Sequence, residues 1–96
     1  MLQQIIVKTQ NSETMRPLLR SALQRELKLV EQGLRRTRVR LADFEKQYNM
    51  ITDEFLRRFN KDDLGETMDF IDWYGETKTI ASLIEQKNAI EGTVVK

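Results

Sequence analysis

The carboxylates Asp69, Asp72 and Glu76 have the spacing best suited to chemistry, because positions i, i+3 and i+7 share one face of a helix. Such a face could hold a hard cation such as Mg²⁺ or pair two carboxylates for acid–base work. Acidic residues at the start of a helix are also what the helix dipole favours without any ligand. The chain has no histidine and no cysteine, which removes the commonest general base and all thiolate chemistry. We therefore predict that the protein is not an enzyme and uses no metal or other cofactor.

A cluster of four arginines lies within six positions, although the net charge of the whole chain is only +1. The cluster consists of Arg35, Arg36, Arg38 and Arg40. These residues spread over about 200° of a helical wheel, whereas a surface that follows a phosphate backbone keeps its basic residues on one side. Residues 1–48 carry ten basic and five acidic residues, and residues 49–96 carry six and ten. This division favours a basic helix lying against an acidic one. Contacts with an acidic protein or with nucleic acid are the alternatives.

Antiparallel pairing of the first and last helices predicts internal partners for two of these arginines. In that register Arg40 falls beside Glu76, and Arg38 lies about half a turn further along. Glu31 stands four residues before Arg35, which is the favourable orientation for an ion pair within one helix.

Helices are the elements that must position these residues. The periodicity predicts a long helix over residues 15–48, a short helix over residues 52–61 and a third helix over residues 68–90. Thr52 has the position and type of a cap for the short helix, with acidic residues directly after it. The predicted fold is therefore all-α.

Turn and cap residues set the limits of these helices. Pro17 marks the first turn of the long helix, and Ser12 or Thr14 is its predicted cap. Gly65 is the best candidate for a positive φ in the loop before the third helix, and Gly92 is a natural stop after it.

Two apolar stripes run along the long helix. The first follows alternating spacings of four and three: Leu23, Leu27, Val30, Leu34, Thr37, Leu41, Phe44 and Tyr48. This heptad pattern is typical either of a coiled coil or of the inner face of a helical hairpin. The second consists of Met15, Leu18, Ala22 and Leu29, within about 60° of one another and about 120° from the first. Because one neighbouring helix cannot cover both stripes, the second predicts contact with another molecule.

The predicted architecture is a single domain over residues 1–96. Two long helices form an antiparallel hairpin with the short helix at the turn. Residues 2–8 and 93–96 are rich in β-branched residues, which is typical of short strands. The hairpin would bring these segments to the same end, where they could pair as a two-stranded ribbon.

Two tracts, FEKQYNMITDEFLRRF at residues 44–59 and LGETMDFIDWYGE at residues 64–76, carry a family resemblance. They resemble small uncharacterised helical proteins of archaea and cyanobacteria that are encoded beside a predicted toxin gene. The resemblance covers nearly the whole chain, including the IIVKT segment near its start. Asn49 stands where that pattern has glycine, and asparagine tolerates the same left-handed backbone. The resemblance implies an antitoxin-like binding protein.

The predicted function is non-catalytic protein binding by a homodimer, whose partner the resemblance implies to be a toxin. The predicted dimer or partner interface consists of Met15, Leu18, Ala22, Leu29 and Trp73, because tryptophan is enriched among residues that anchor interfaces. The alternative is a nucleic-acid-binding protein or autorepressor that uses the arginines of the first helix.

The sequence has no apolar run of about 20 residues and no secretion signal, so we expect a cytoplasmic protein without a membrane partner.

Overall fold

A computed structural model describes all 96 residues and contains three helices and no strand. Helix α1 spans Ser12–Tyr48, α2 spans Thr52–Asn60 and α3 spans Met68–Glu91. The all-α prediction is confirmed. The predicted terminal strands do not form, because residues 1–9 are exposed along their whole length and have no sheet or core to stabilise them.

Helix α1 begins earlier than the sequence predicts. Asn11 is the cap, and its side-chain oxygen accepts a 3.1 Å hydrogen bond from the backbone N–H of Thr14. The prediction of Ser12 or Thr14 as the cap is wrong, since both lie inside the first turn. Pro17 is consequently the sixth helical residue rather than part of the first turn. Because proline has no N–H, it leaves the carbonyl of Glu13 without its usual helical donor.

A tight corner joins α1 to α2. Asn49 has φ 50° and ψ 48°, the left-handed conformation that asparagine tolerates, and this ends α1. Thr52 is not the cap of α2, because Ile51 occupies that position and makes no side-chain cap hydrogen bond. The N–H of Thr52 instead donates a 2.7 Å hydrogen bond to the carboxylate of Glu45 in α1. This bond ties the start of the short helix to the end of the long one.

Helices α1 and α3 lie antiparallel, and the molecule measures 56 × 24 × 20 Å. Contacts that set their register join Tyr48 to Asp69, Arg40 to Glu76 and Gly33 to Leu83. The residue numbers in each pair sum to 116 or 117, which places Glu91, the last residue of α3, opposite Arg25. Residues 12–24 of α1 therefore extend beyond the end of α3, and we call them the overhang.

The heptad stripe is the face of α1 that turns inward. Val30, Leu34 and Thr37 are buried, and its other five members are partly buried. The partly buried members lie towards the two ends of the stripe. None of the three helices combines the length and the apolar composition that crossing a bilayer requires.

An aromatic core forms where all three helices meet. Phe55 of α2 and Trp73 of α3 are completely buried, and Phe70 is nearly so. The residues packed around them include Leu41, Phe44, Tyr48, Met50, Leu56, Phe59, Leu64 and Tyr74. The prediction of Trp73 as an interface residue is therefore wrong. Because α2 covers this part of α3, the indole lies inside the protein, and its neighbour Tyr74 is the partly exposed ring.

Candidate interaction surfaces

The second apolar stripe of α1 is largely exposed. Leu18 and Leu29 each retain 55% of their accessible surface, Ala22 is exposed and Met15 is partly buried. Met15, Leu18 and Ala22 belong to the overhang, where no helix lies alongside α1. Trp73 lies far from them, in the aromatic core at the other end of the hairpin. The structure thus brings four of the five predicted interface residues together along one side of α1.

A shallow groove lies beside the overhang, between α1 and the residues that follow α3. Its apolar lining residues are Leu23, Leu27, Ile90, Val94 and Val95, and its polar ones are Arg20, Gln24, Glu91 and Thr93. Two arginines hold the segment 93–96 against the overhang. The Nε of Arg16 donates a 2.9 Å hydrogen bond to the carbonyl of Lys96, and a terminal guanidinium nitrogen of Arg20 donates a 3.0 Å bond to that of Val95.

The sequence interpretation missed this groove. It assigned Leu23 and Leu27 wholly to the inner face of the hairpin, yet α3 ends near this level and leaves them partly exposed. The unequal lengths of the two predicted long helices are the signal that could have revealed it. A helix that is longer than the helix it packs against must expose part of its inner apolar stripe.

Only one of the four clustered arginines forms an ion pair. The Nε of Arg40 lies 2.8 Å from a carboxylate oxygen of Glu76, as the antiparallel register predicts. Arg38, Arg35 and Arg36 have no carboxylate within ion-pair distance. The predicted internal partner for Arg38 and the predicted pairing of Glu31 with Arg35 are therefore wrong. All three side chains are exposed, and an ion pair between long exposed side chains gains little in water.

The acidic residues of α3 join it to α1. Asp69 accepts a hydrogen bond from the Tyr48 hydroxyl and a 3.2 Å bond from the side-chain amide of Gln47. Glu76 forms an ion pair with Arg40, and Asp72 is exposed. Nowhere do three or more acidic side chains gather in an arrangement suited to a metal ion. Two of the three carboxylates thus make contacts between the helices.

Tyr48 is the residue whose ionisation the fold changes most clearly. Its hydroxyl donates to the carboxylate of Asp69, and this hydrogen bond is the main reason that the pKa of Tyr48 is raised above its ordinary value of 10.0. Partial burial and the negative charge of Asp69 act in the same direction. The neutral form of Tyr48 is consequently the one that joins the end of α1 to the start of α3.

Comparison of the chain with family models, with curated proteins and with solved structures finds no match.

Proposed function

We propose that this protein is a non-catalytic helical module that forms a homodimer and binds a partner protein. The observation that carries the proposal is the exposed stripe on α1, with Leu18 and Leu29 each 55% exposed on a side of the helix that α3 cannot reach. Only 7 of the 96 residues are buried, so the chain hides little apolar surface by folding alone. Burying the exposed half of a leucine side chain contributes about 1 kcal/mol. In a two-fold dimer this contribution counts twice, because the residue is buried on both copies.

The overhang gives a second reason for self-association. Most helices in proteins are stabilised by packing of an apolar face. The overhang has such a face in Met15, Leu18 and Ala22 but no helix beside it. A second molecule that supplies the missing neighbour would stabilise this part of α1.

The mass of two variants in solution tests the dimer. Leu18→Glu places a charge in the exposed stripe and should reduce the mass measured by light scattering from about twice 11.4 kDa to 11.4 kDa. Ala42→Glu is the matched control, because Ala42 is also exposed on α1 but lies outside the stripe and the overhang. It should leave the mass of the dimer unchanged. Equal masses for both variants and the unmodified chain would contradict the proposal.

The partner that we favour is a toxin, so that the protein acts as an antitoxin. The resemblance of residues 44–59 and 64–76 to antitoxin-like helical proteins supports this assignment. The test is co-expression with the product of the adjacent gene. Growth arrest by that product should be relieved by this chain and not by the Leu18→Glu variant. Growth arrest that persists in the presence of the unmodified chain would contradict the assignment.

Nucleic-acid binding is the second candidate, and the unpaired arginines favour it. Arg35, Arg36 and Arg38 have no carboxylate partner in the structure, so they are free to contact phosphates. Binding of this kind weakens steeply with salt because counterions are released. An Arg35→Glu, Arg36→Glu variant should then shift less of a DNA duplex than the unmodified chain in a gel-retardation assay at low salt. No retardation by the unmodified chain would eliminate this candidate.

A further inference from the structure

The segment before α1 is apolar and makes no contact that would explain its composition. We call residues 2–7 the arm. Leu2, Ile5, Ile6 and Val7 are between 56% and 94% exposed, and the arm has no regular secondary structure. Four large apolar side chains exposed within six positions are far more than a surface segment ordinarily carries. The β-branched residues of the arm favour an extended conformation when it binds.

A suitable surface for an extended apolar segment lies at the same end of the molecule. The groove beside the overhang offers Leu23, Leu27 and Ile90, and it is bordered by the segment 93–96. Within that segment the backbone N–H groups of Val94, Val95 and Lys96 donate no hydrogen bond to any other part of the chain. A fixed segment with free N–H groups next to apolar side chains can bind a second extended segment through its main chain.

Charge permits this match, because the groove is lined by one acidic and one basic side chain, Glu91 and Arg20, and Arg20 already donates to the carbonyl of Val95. Lys8 is the first charged side chain that follows the arm, and Glu91 lines the groove. Neither residue takes part in an ion pair within the chain. An arm lying in the groove would bring a positive charge towards a negative one.

The arm of a given molecule lies outside that molecule's own groove. The backbone N–H of Asn11 donates a 3.2 Å bond to the hydroxyl of Thr9, and the side chain of Asn11 caps α1, so two local hydrogen bonds order the turn that precedes α1. From this turn the arm leaves its own groove uncovered, with Ile5 93% exposed and Val94 76% exposed. A neighbouring molecule is within reach, because the six residues of the arm span about 20 Å when extended, which is about the length of the overhang.

We infer that the arm of one copy docks in the groove of a second copy, and that the exchange is reciprocal. Both features lie at the overhang end of the 56 Å molecule, so two copies that meet there place each arm beside the other's groove. The contact is the same on both copies and closes a two-fold dimer. This inference rests on the proposed self-association and adds the segment that completes it.

Cysteine cross-linking between two single variants tests the exchange, and the chain has no cysteine of its own to interfere. One variant carries Ile5→Cys in the arm and the other carries Val94→Cys beside the groove, and both positions are exposed enough to leave the fold intact. When the two variants are mixed and mildly oxidised, a disulfide-linked dimer should form between positions 5 and 94. It should form at least about tenfold faster than the dimer of Ile5→Cys with Ala81→Cys, because docking raises the effective concentration of the two thiols. Ala81 is exposed on α3 and serves as the matched control.

The double variant Ile5→Cys, Val94→Cys distinguishes exchange from folding back. Exchange predicts a covalent dimer on a non-reducing gel, whereas an arm that docks on its own chain gives a cross-linked monomer and overturns the inference. Equal rates with Val94→Cys and Ala81→Cys also overturn it. If light scattering shows a dimer while those rates are equal, only the exchange fails. If the unmodified chain is a monomer at the same concentration, the proposed self-association fails with it.

Discussion

The rings of Phe55 and Trp73 lie face to face, with 4.0 Å between their centroids and 3° between their planes. Both side chains are completely buried, so this stack fastens the nine-residue helix α2 to α3. A helix of that length is not stable in isolation, and its position therefore depends on the side chains that it buries. Loss of the stack should release α2 from the hairpin.

Phe55→Ala should consequently lower the free energy of unfolding by about 3–5 kcal/mol, since it removes a buried aromatic ring and leaves a cavity against the indole. Urea unfolding followed by circular dichroism measures this loss. Emission from Trp73, the only tryptophan, should shift to longer wavelength. Ile71→Ala is the control, because Ile71 is 47% exposed and its loss should cost about 1 kcal/mol or less. Similar losses for the two variants would show that the stack is not what fastens α2.

The side-chain oxygen of Thr52 is the hydrogen-bond acceptor for the buried indole N–H of Trp73. Its hydroxyl accepts a 3.1 Å hydrogen bond from the indole N–H of Trp73, which is completely buried. Thr52→Val keeps the shape but leaves that N–H without an acceptor, at a cost of about 1–3 kcal/mol in the free energy of unfolding. Thr52→Ser keeps the oxygen and should lose less than half as much. Equal losses for valine and serine in thermal unfolding would refute the role of the hydrogen bond.

The bond between Tyr48 and Asp69 should make stability fall at alkaline pH. Because the pKa of Tyr48 is raised above 10.0 in the folded protein, the bond stabilises the fold fully below pH 10.0 and is lost as the pH rises through the folded pKa. The difference in unfolding free energy between the unmodified chain and Tyr48→Phe should be constant from about pH 7 to 9 and shrink above about pH 10. Urea unfolding across this range measures it. A difference that stays constant to the highest pH reached would contradict this account.

Gly33 lies where α1 and α3 are in close contact. A Cβ at this position would lie 3.1 Å from a terminal methyl group of Leu83, whose side chain is only partly buried and can shift. In Gly33→Ala the gain of about 1 kcal/mol in helix propensity should offset this crowding, leaving unfolding free energy within about 0.5 kcal/mol of the unmodified chain. Gly33→Leu must separate the two helices and should cost about 1–3 kcal/mol. Thermal unfolding in which alanine destabilises as much as leucine would show that the contact cannot relax.

Local signals in the sequence predict the limits of the helices to within one residue, except for the start of α1, which lies three residues earlier than predicted. The end of α1 at Tyr48, the left-handed Asn49 and the positive φ of Gly65 all depend on residues close to one another in the chain. The start of α3 at Met68 also agrees with the prediction. Caps are predicted less well, because serine, threonine and asparagine compete for the same role. Asn11 rather than Ser12 caps α1, and the hydroxyl of Thr52 accepts a hydrogen bond from the indole of Trp73, which is distant in the sequence.

Features that depend on where one helix lies against another could be predicted only in part. The ion pair of Arg40 with Glu76 follows from the antiparallel register alone. Which of Trp73 and Tyr74 is buried depends on the side that α2 covers, and neighbouring helical residues point about 100° apart. Local periodicity does not contain that information. The exposed stripe on α1 could be predicted because two apolar faces on one helix exceed what one neighbouring helix can cover.

Sedimentation equilibrium of the unmodified chain tests the central claim most directly, because self-association follows from the exposed apolar stripe on α1. Between about 1 and 100 µM the weight-average mass should rise from near 11.4 kDa towards twice that value. A mass that stays at 11.4 kDa across the whole range would show that α1 needs no second molecule, and would contradict the account.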